Sequence, residues 1–570
     1  MGSCRFGLIA VAAAVAIAGS SPLAQSTADE VLLNGKIITV DQRFSIAQAV
    51  AIRGDRIVAV GSNAEISRLV GPSTRRIDLR GRAVVPGFID NHIHLFRAAP
   101  TWQEEVRFEG VFSRRQALDI LRARAAAVGA GKWVFSIGGW TTGQFADDPR
   151  PFTREELDRV APNNPVALQE SYYQTILNSR TLDAFGIRQG QPDPQDFIQG
   201  TIQRDASGRP TGIIMGDIPA TRPVQARLPK VSGDQLEAST RALFSDMNRA
   251  GLTAFGVVGC LPEVMPVVKR LRDRHELNAR IFCIEGPTTN TPAQVDASIQ
   301  QIRQMKPFQG DDYIDDIEFG ESVYQPLHDP MFAVSSKPGR DDLTQWKRIA
   351  SAIAEQGLGL QVHANLSATI DAFLDQIEQI NTIYPVRNLR WSLIHLNQVN
   401  AQQLERMKRL GLYAGIHPWS VINGAIMEDR FGAPAAAELA PLDTIQRSGI
   451  VWGFGSDGTA ANQYVPMITL YYAVTGRMPG GKVVMRHPIS REDALIAYTR
   501  QNAYFVFHES DLGSIQAGKL ADLVVLDRDY LTVPAEQIRD IKPVMTMVGG
   551  RVAYNGDRDT PDSQRPNPKL

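Results

Sequence analysis

Two histidines spaced two residues apart are the first groups in this chain whose types and spacing suit chemistry. His92 and His94 follow Gly87 and an apolar, β-branched run at residues 83–85. Such a run is typical of a β-strand, and residues two apart on a strand point to the same side. Both imidazoles can therefore reach one ion, and imidazole is a common ligand of zinc and similar divalent metals. Taken alone, the pair fits two ordinary strand histidines equally well.

Three later strand-like runs also end in a residue able to bind a metal. Their last residues are His363, His395 and Asp457. In a barrel of parallel strands the reacting groups lie at the carboxyl ends of the strands. Each residue taken singly is better explained as a buried histidine or a loop-capping aspartate. Together with the first pair, however, the pattern predicts a metal site.

The order of the elements predicts the barrel that would position these residues. Strand-like runs alternate with helical patterns, and with the His92 strand they number eight. Eight alternating units predict a closed (β/α)8 barrel of the TIM type, with the metal-type residues on strands 1, 5, 6 and 8. The later strand-like runs are residues 253–258, 280–284, 313–319, 358–363, 390–395, 412–416 and 450–455.

The remaining residues predict further units around the barrel. Short β-rich runs near both chain ends predict one small β-sandwich built from residues 29–86 and 509–557. Barrel strand 1 is expected within residues 87–100, and residues 236–508 are expected to supply the rest of the barrel. Residues 101–235 are surplus to it and predict an α/β subdomain inserted after strand 1.

The two extreme ends of the chain carry different signals. Residues 1–25 predict a secretory signal peptide, because Arg5 precedes an alanine-rich apolar run and a cleavage point is expected near Ala24 or Gln25. The run is shorter than the roughly 20 residues that span a bilayer; an uncleaved anchor is the alternative. The protein is expected to be periplasmic or secreted, without stable membrane association after cleavage. Residues 558–570 form a polar tail that is expected to be disordered.

Composition narrows the class of protein. Hydrophobic residues make up 43% and charged residues 21%, as in an ordinary globular protein. The net charge is −1 and no basic stripe is present, so a nucleic-acid partner has no electrostatic support. A small-molecule substrate is the expected partner, and a homo-oligomer is possible. Cys260 and Cys283 are expected to be separate, small core residues without a disulfide.

Taken in order, these segments resemble the amidohydrolase superfamily and, within it, amidohydrolase family 3 (YtcJ-like). The resemblance covers most of the chain and implies the same barrel and a sandwich made from both chain ends. It includes the His92 strand, His363, His395 and Asp457, and it extends to residues 33–39, 51–61, 152–158, 205–212 and 512–526.

The resemblance implies a metal-dependent hydrolase that cleaves a C–N bond, in an amide or a cyclic amide, of a small molecule. The cofactor is expected to be a divalent metal, with zinc favoured, as one or two ions. Asp457 is expected to be the general base, and His395 or His363 is expected to help polarise the substrate carbonyl as well as bind metal. A non-hydrolytic member, such as a decarboxylase or isomerase, is the alternative, and a non-catalytic metal-binding protein is less favoured. The expected metal ligands are His92, His94, Glu321, His363, His395 and Asp457.

Two departures from the family pattern bear on the site. Many relatives carry a lysine on strand 4, carboxylated to bridge two metals, but residues 313–322 contain none. A glutamate is the obvious substitute: Glu321, which follows Gly320 at the carboxyl end, is favoured, Glu318 is second, and a mononuclear site is the alternative. Relatives also tend to carry a histidine where this chain has Tyr173, before an Asn-Ser pair.

Several other residues are weaker candidates. His417 follows strand 7 and either faces the substrate or is hydrogen-bonded locally. Trp140 and Tyr173 either line the pocket or pack within the insertion. Four more histidines are expected to be surface or packing residues: His275, His328, His487 and His508.

Overall fold

The computed structural model describes residues 27–418 and 422–556. The predicted signal peptide and the predicted tail lie outside these residues, so neither prediction is tested. Within the described ranges, every helix is too short or too polar to cross a membrane.

The centre of the molecule is a sheet of eight parallel strands, which confirms the predicted (β/α)8 barrel. Its strands, numbered 1 to 8 in chain order, each pair with the next. The sheet nearly closes, because the loop after strand 8 bonds back to strand 1: Asp457 N donates to His92 O at 2.9 Å. The strands are Phe88–Ile93, Leu252–Val258, Arg280–Glu285, Ile314–Phe319, Gly359–Ala364, Ser392–His395, Tyr413–Ile416 and Trp452–Phe454.

Amphipathic helices surround the barrel. The helix Arg340–Glu355, for example, buries Trp346, Ile349 and Ile353, which are spaced three and four residues apart and so share one face. The α-helices are Asn63–Ser67, Leu95–Ala98, Arg114–Val128, Arg154–Val160, Ser179–Ala184, Ile218–Gln225, Gly233–Arg249, Met265–Asp273, Val295–Gln304, Arg340–Glu355, Ser367–Asn381, Ala401–Leu410, Gly424–Phe431, Ala433–Ala436, Leu442–Ser448, Pro466–Thr475, Arg491–Tyr498 and Arg500–Phe505. Short 3-10 helices lie at Thr142–Gln144, Gln195–Phe197, Pro292–Gln294, Gln325–Leu327 and Ala535–Asp540.

Both chain ends build one β-sandwich beside the barrel, as predicted. The strand Ala83–Pro86 pairs antiparallel with Leu523–Leu526 and leads directly into barrel strand 1. One sheet contains Arg56–Gly61, Ala49–Arg53, Glu30–Leu33 and Arg75–Asp78. The other contains Arg551–Asn555, Pro543–Val548, Leu523–Leu526, Ala83–Pro86, Lys36–Ile38 and Ile46–Ala47.

A fourth sheet lies between the first and second barrel strands in sequence. Its five strands are mostly antiparallel and surround a separate aromatic core that contains Trp140, Phe108 and Phe152. The helix Ile218–Gln225, which follows the strand Pro210–Met215 of this sheet, returns toward the carboxyl ends of the barrel strands. The strands are Thr201–Arg204, Pro210–Met215, Gln174–Leu177, Val166–Glu170 and Val134–Ile137.

Cys260 and Cys283 form a disulfide, so the prediction of two separate core thiols is wrong. Both residues are buried, as expected, but barrel register also places them side by side. Val257 of strand 2 pairs with Cys283 of strand 3, and Cys260 follows three residues later in the loop. The Cα atoms are 5.8 Å apart despite a sequence separation of 23 residues.

Candidate metal centre

Strand 1 delivers two imidazoles to the carboxyl end of the barrel. His92 lies within the strand and is fully buried, whereas His94 follows its last residue and keeps a quarter of its side chain exposed. The Nε2 atoms of both point toward the same two carboxylates, Glu321 and Asp457. The expectation that residues two apart on this strand face one site therefore agrees with the geometry.

Glu321 occupies the middle of the cluster. Its Oε2 atom lies 3.1 Å from His363 Nδ1, 3.2 Å from His395 Nε2 and 3.7 Å from His92 Nε2. Its Oε1 atom lies 3.3 Å from His94 Nε2. One carboxylate thus contacts or closely approaches the histidines of strands 1, 5 and 6.

Gly320 allows this placement of Glu321. Its φ is +149°, and a Cβ added there would lie 2.8 Å from the backbone oxygen of Gln361 on strand 5. A side chain at this position would collide with the neighbouring strand, so the turn that aims Glu321 inward needs glycine.

Asp457 completes the cluster from the end of strand 8. Its Oδ1 atom lies 3.3 Å from His94 Nε2 and 3.8 Å from His92 Nε2. Asp457 and His395 both have positive φ values, +53° and +72°, which L-residues adopt at a cost. Such backbone strain concentrates at functional sites, where the surrounding structure enforces it.

The charges of these groups depend strongly on one another. Burial alone would raise the pKa of Glu321, but hydrogen bonds from His363, His395 and His94 hold it well below its usual value. Burial alone would lower the pKa of His94 and of His363. Hydrogen bonds with carboxylates outweigh burial and raise each pKa to about 10. Burial dominates at His92, where it lowers the pKa to about 4.

Strand 5 contributes a residue that the sequence analysis missed. Gln361 Oε1 lies 2.9 Å from His92 Nδ1, and Gln361 Nε2 donates to Glu318 Oε1 at 2.9 Å. Because the amide accepts from Nδ1, the Nε2 lone pair of His92 faces the cluster. Glu318 therefore lies one layer behind the histidines, while Glu321 lies among them. Gln361 is two residues before His363, so strand alternation was a signal for it.

Loop residues orient the other imidazoles. Asp329 Oδ1 lies 2.8 Å from His363 Nε2, and no sequence signal pointed to it. His417 Nδ1 lies 2.7 Å from His395 Nδ1, so His417 is bonded to the cluster and does not line the cavity. His328 was expected to be an ordinary surface or packing residue, but it stacks on His363 with ring centroids 3.7 Å apart. The other three histidines of that group lie outside the cluster.

A cavity of about 610 Å³ opens over the cluster. Tyr172 and the helix Ile218–Gln225, both from the segment between strands 1 and 2, line one side of it. Tyr173 packs instead against Phe332, and Trp140 is buried in the aromatic core of that segment. Of the two adjacent tyrosines, the one not singled out from the sequence faces the site.

Known proteins share this sequence pattern. The sequence model of the amidohydrolase family matches residues 75–554. The N-substituted formamide deformylase of Arthrobacter pascens is 27% identical over 92% of this chain and 98% of its own. The putative amidohydrolase YtcJ of Bacillus subtilis (strain 168) is 25% identical over 91% of this chain and 98% of its own.

Solved structures share the fold. An uncharacterised metal-dependent hydrolase from Pyrococcus horikoshii superposes with a TM-score of 0.60 at 21% identity, over 89% of this chain and 99% of that one. The atrazine chlorohydrolase of Arthrobacter aurescens TC1, solved in complex with zinc, gives a TM-score of 0.52 at 15% identity, over 93% and 96%. These likenesses extend over the barrel and the units around it.

Proposed function

Since the chain belongs to the amidohydrolase family, we propose that it is a metal-dependent hydrolase that cleaves the C–N bond of a small amide or cyclic amide at the cluster around Glu321. One observation carries the proposal. The carboxylate of Glu321, whose side chain is 12% exposed, lies within 3.7 Å of a nitrogen atom from each of four histidines. This donor set comes from the ends of strands 1, 4, 5 and 6, where barrel enzymes place their reacting groups.

The donor set fits divalent metal. His92 Nε2 is buried and has no hydrogen-bond partner, as expected of a nitrogen reserved for an ion. Imidazole nitrogens and carboxylate oxygens suit zinc, and zinc is present in the atrazine chlorohydrolase structure that shares this fold. We therefore expect zinc.

The residues divide into two overlapping sets that share Glu321. His92 and His94 form one set with it, and His363 and His395 form the other. Asp457 lies beside the first set. We infer that Glu321 would take the place of the carboxylated lysine as a ligand common to both sets, since a carboxylate near two dications would offset their repulsion.

Asp457 and His395 are the proposed catalytic residues. A divalent ion held here would supply Lewis acidity, which polarises a carbonyl oxygen and acidifies water. Hydrogen bonding with His94 outweighs burial and lowers the pKa of Asp457, so its carboxylate is ionised and able to accept a proton from attacking water. It can return that proton to the leaving nitrogen. We propose that His395 helps to polarise the substrate carbonyl.

The relatives supply a starting point for the substrate. The Arthrobacter pascens protein is named for N-substituted formamides, which have one C–N bond to hydrolyse and a variable substituent on nitrogen. We propose that the present chain acts on amides of this general kind, with the cavity of about 610 Å³ holding the substituent.

The test combines metal analysis with a substrate screen. The purified full chain is assayed for bound metals and for release of amines from N-formyl amines, N-acyl amines and cyclic amides. His92→Asn and His94→Asn are expected to lose metal and activity together. His487→Asn, which changes a half-exposed histidine far from the cluster, is the matched control and should keep both. A His92→Asn/His94→Asn protein that retains its full metal content would overturn the site.

We also propose that the protein works in an oxidising compartment, the periplasm or the exterior. The Cys260–Cys283 disulfide supports this, because disulfides persist in such compartments and are rare in the cytosol. Fractionation of expressing cells, with the redox state of both cysteines measured in each fraction, tests the proposal.

A further inference from the structure

Arg97 carries a guanidinium group that no carboxylate of the described residues neutralises. It lies on the helix Leu95–Ala98, directly after His94. Its Nη2 atom donates to Thr459 Oγ1 at 3.0 Å and approaches Ile137 O at 3.5 Å. Its Nε atom is buried without a partner. Among residues 27–418 and 422–556, no carboxylate oxygen lies within 4.0 Å of a guanidinium nitrogen of Arg97, the distance that defines an ion pair.

Arg97 is half-buried, and two other partly or fully buried arginines of the described residues do have acidic partners. Arg107 pairs with Glu105 and Glu109, and Arg280 pairs with Asp522. A cation withdrawn from water without a partner is costly, because lost hydration is not replaced. An anionic group of a bound ligand would supply the partner that Arg97 lacks among the described residues.

Arg97 also lies within reach of a ligand at the metal centre. It lines a cavity of about 470 Å³ at the carboxyl ends of strands 1 to 3, together with His94 and Glu321. Both of these residues also line the larger cavity over strands 4 to 6. The two spaces therefore meet at the cluster, and a substrate bound there has room to extend toward Arg97.

The only acid of this smaller cavity besides Glu321, among the described lining residues, is Glu285. It forms no ion pair with Arg97. Burial, with repulsion from Asp316, raises the pKa of Glu285. Arg97 remains the group of this cavity best suited to bind an anion, because the planar fork of guanidinium matches a carboxylate.

We propose that Arg97 binds a carboxylate of the substrate, and hence that the substrates are amides bearing a carboxylate on the part lodged at strands 1 to 3. The inference rests on the proposed function, since it places the scissile amide at the metal centre. It narrows the substrate class from amides in general to anionic amides.

A pair of matched probes tests this by binding. The carboxylate probe is succinic acid monohydroxamate, and the neutral probe is its carboxamide analogue of equal length. Titration calorimetry on the metal-loaded full chain should give a Kd about ten- to a hundredfold lower for the carboxylate probe. In Arg97→Gln the ratio of the two constants should fall to about one. Arg97→Lys, which keeps the charge but not the fork, should keep part of the preference.

Arg222→Gln is the matched control. Arg222 lines the larger cavity, is exposed and also lacks an ion-pair partner among the described residues, so its loss should leave the ratio unchanged. A merely structural role of Arg97, through Thr459, would weaken both probes equally and also leave the ratio unchanged. A ratio of about one in the wild type, an unchanged ratio in Arg97→Gln, or loss of the ratio in Arg222→Gln would overturn the inference.

The outcome separates this inference from the proposed function. Hydrolysis of neutral amides without any carboxylate preference would refute the Arg97 site alone. A carboxylate preference that depends on Arg97, in a protein that hydrolyses no amide, would refute the proposed function alone.

Discussion

At the scale of single residues, the cluster depends on one carboxylate. Glu321 contacts histidines that belong to both candidate metal sets, whereas Glu318 accepts a hydrogen bond from Gln361 behind them. The two glutamates are three residues apart, so strand alternation places them differently with respect to the site. This difference makes them a matched pair for mutation.

The first prediction compares Glu321→Ala with Glu318→Ala. Loss of the shared carboxylate should reduce bound metal from about two ions per chain to one or fewer. Glu318→Ala should keep nearly the wild-type content, because it removes a partner of Gln361 and no proposed ligand. Elemental analysis of the purified variants measures both. A wild type with about one ion, unchanged in either variant, would indicate a mononuclear enzyme without a bridge.

The second prediction concerns the proposed base. Asp457→Asn should lower kcat by about a hundred- to ten-thousandfold with little change in KM, because proton transfer acts in the transition state. Metal content must be measured on the same preparation, since Asp457 lies beside His92 and His94. Near-normal kcat in a metal-loaded Asp457→Asn protein would assign the base to another residue.

The third prediction follows from the raised pKa of His94 and His363, about 10 each against an ordinary 6.5. In the metal-free protein both are protonated at pH 8, so metal uptake should release about two protons per chain. Calorimetry in buffers of different ionisation enthalpy counts them.

The same shift makes the stability of the metal-free protein depend on pH. The pairing of protonated His94 and His363 with carboxylates contributes fully to the free energy of unfolding below pH 6.5. This contribution is lost as the pH rises through about 10. The Tm of the metal-free protein should therefore fall between pH 7 and 10, and that of the metal-loaded protein should fall less. Metal uptake without proton release would contradict the assignment of both histidines as ligands.

At the scale of elements, the sequence predicted what strand periodicity and strand ends determine. All eight barrel strands were found because strand-like runs alternate with helical patterns, and His363, His395 and Asp457 were found because they end such runs. Asp329, His328 and Tyr172 were missed because loop conformation places them, and loops carry no periodic signal. The disulfide was missed because it depends on the register of strands 2 and 3.

The fourth prediction concerns that disulfide. Replacing both Cys260 and Cys283 by Ala removes a crosslink over 23 residues and should cost about 2–4 kcal/mol of unfolding free energy. Urea titration measures the loss. A reductant should destabilise the wild type by a similar amount and leave the double variant unaffected, which serves as the control. Two free thiols in the folded wild type under oxidising conditions would contradict the bond.

At the scale of the whole molecule, a buried ion pair joins barrel and sandwich. Arg280, on barrel strand 3, makes two bonds of 2.9 Å to the carboxylate of Asp522, next to the sandwich strand Leu523–Leu526. Asp522 also accepts from Gly549 N at 2.8 Å, within the same sandwich. The pair therefore couples the two units energetically.

The fifth prediction tests this coupling. Asp522→Asn should lower the free energy of unfolding by about 3–5 kcal/mol, because Arg280 would keep a buried charge without its partner. Arg348→Met is the control: its pairing with Asp296 is exposed, and such pairs contribute about 1 kcal/mol or less. Chemical denaturation measures both. An unchanged unfolding midpoint in Asp522→Asn would show that the pair does not couple the units.

The meeting of both chain ends in one sheet has a consequence for synthesis. Val84 pairs with Val525, so the strand that precedes the histidine strand, which already pairs with Lys36–Ile38, gains its second neighbour only late in synthesis. Until then its backbone presents an open edge, the kind of surface that pairs with other chains. If translation stops after the last barrel strand but before the strand Leu523–Leu526, that edge stays exposed beside the barrel. The growing polypeptide must therefore be shielded for nearly the full duration of its production.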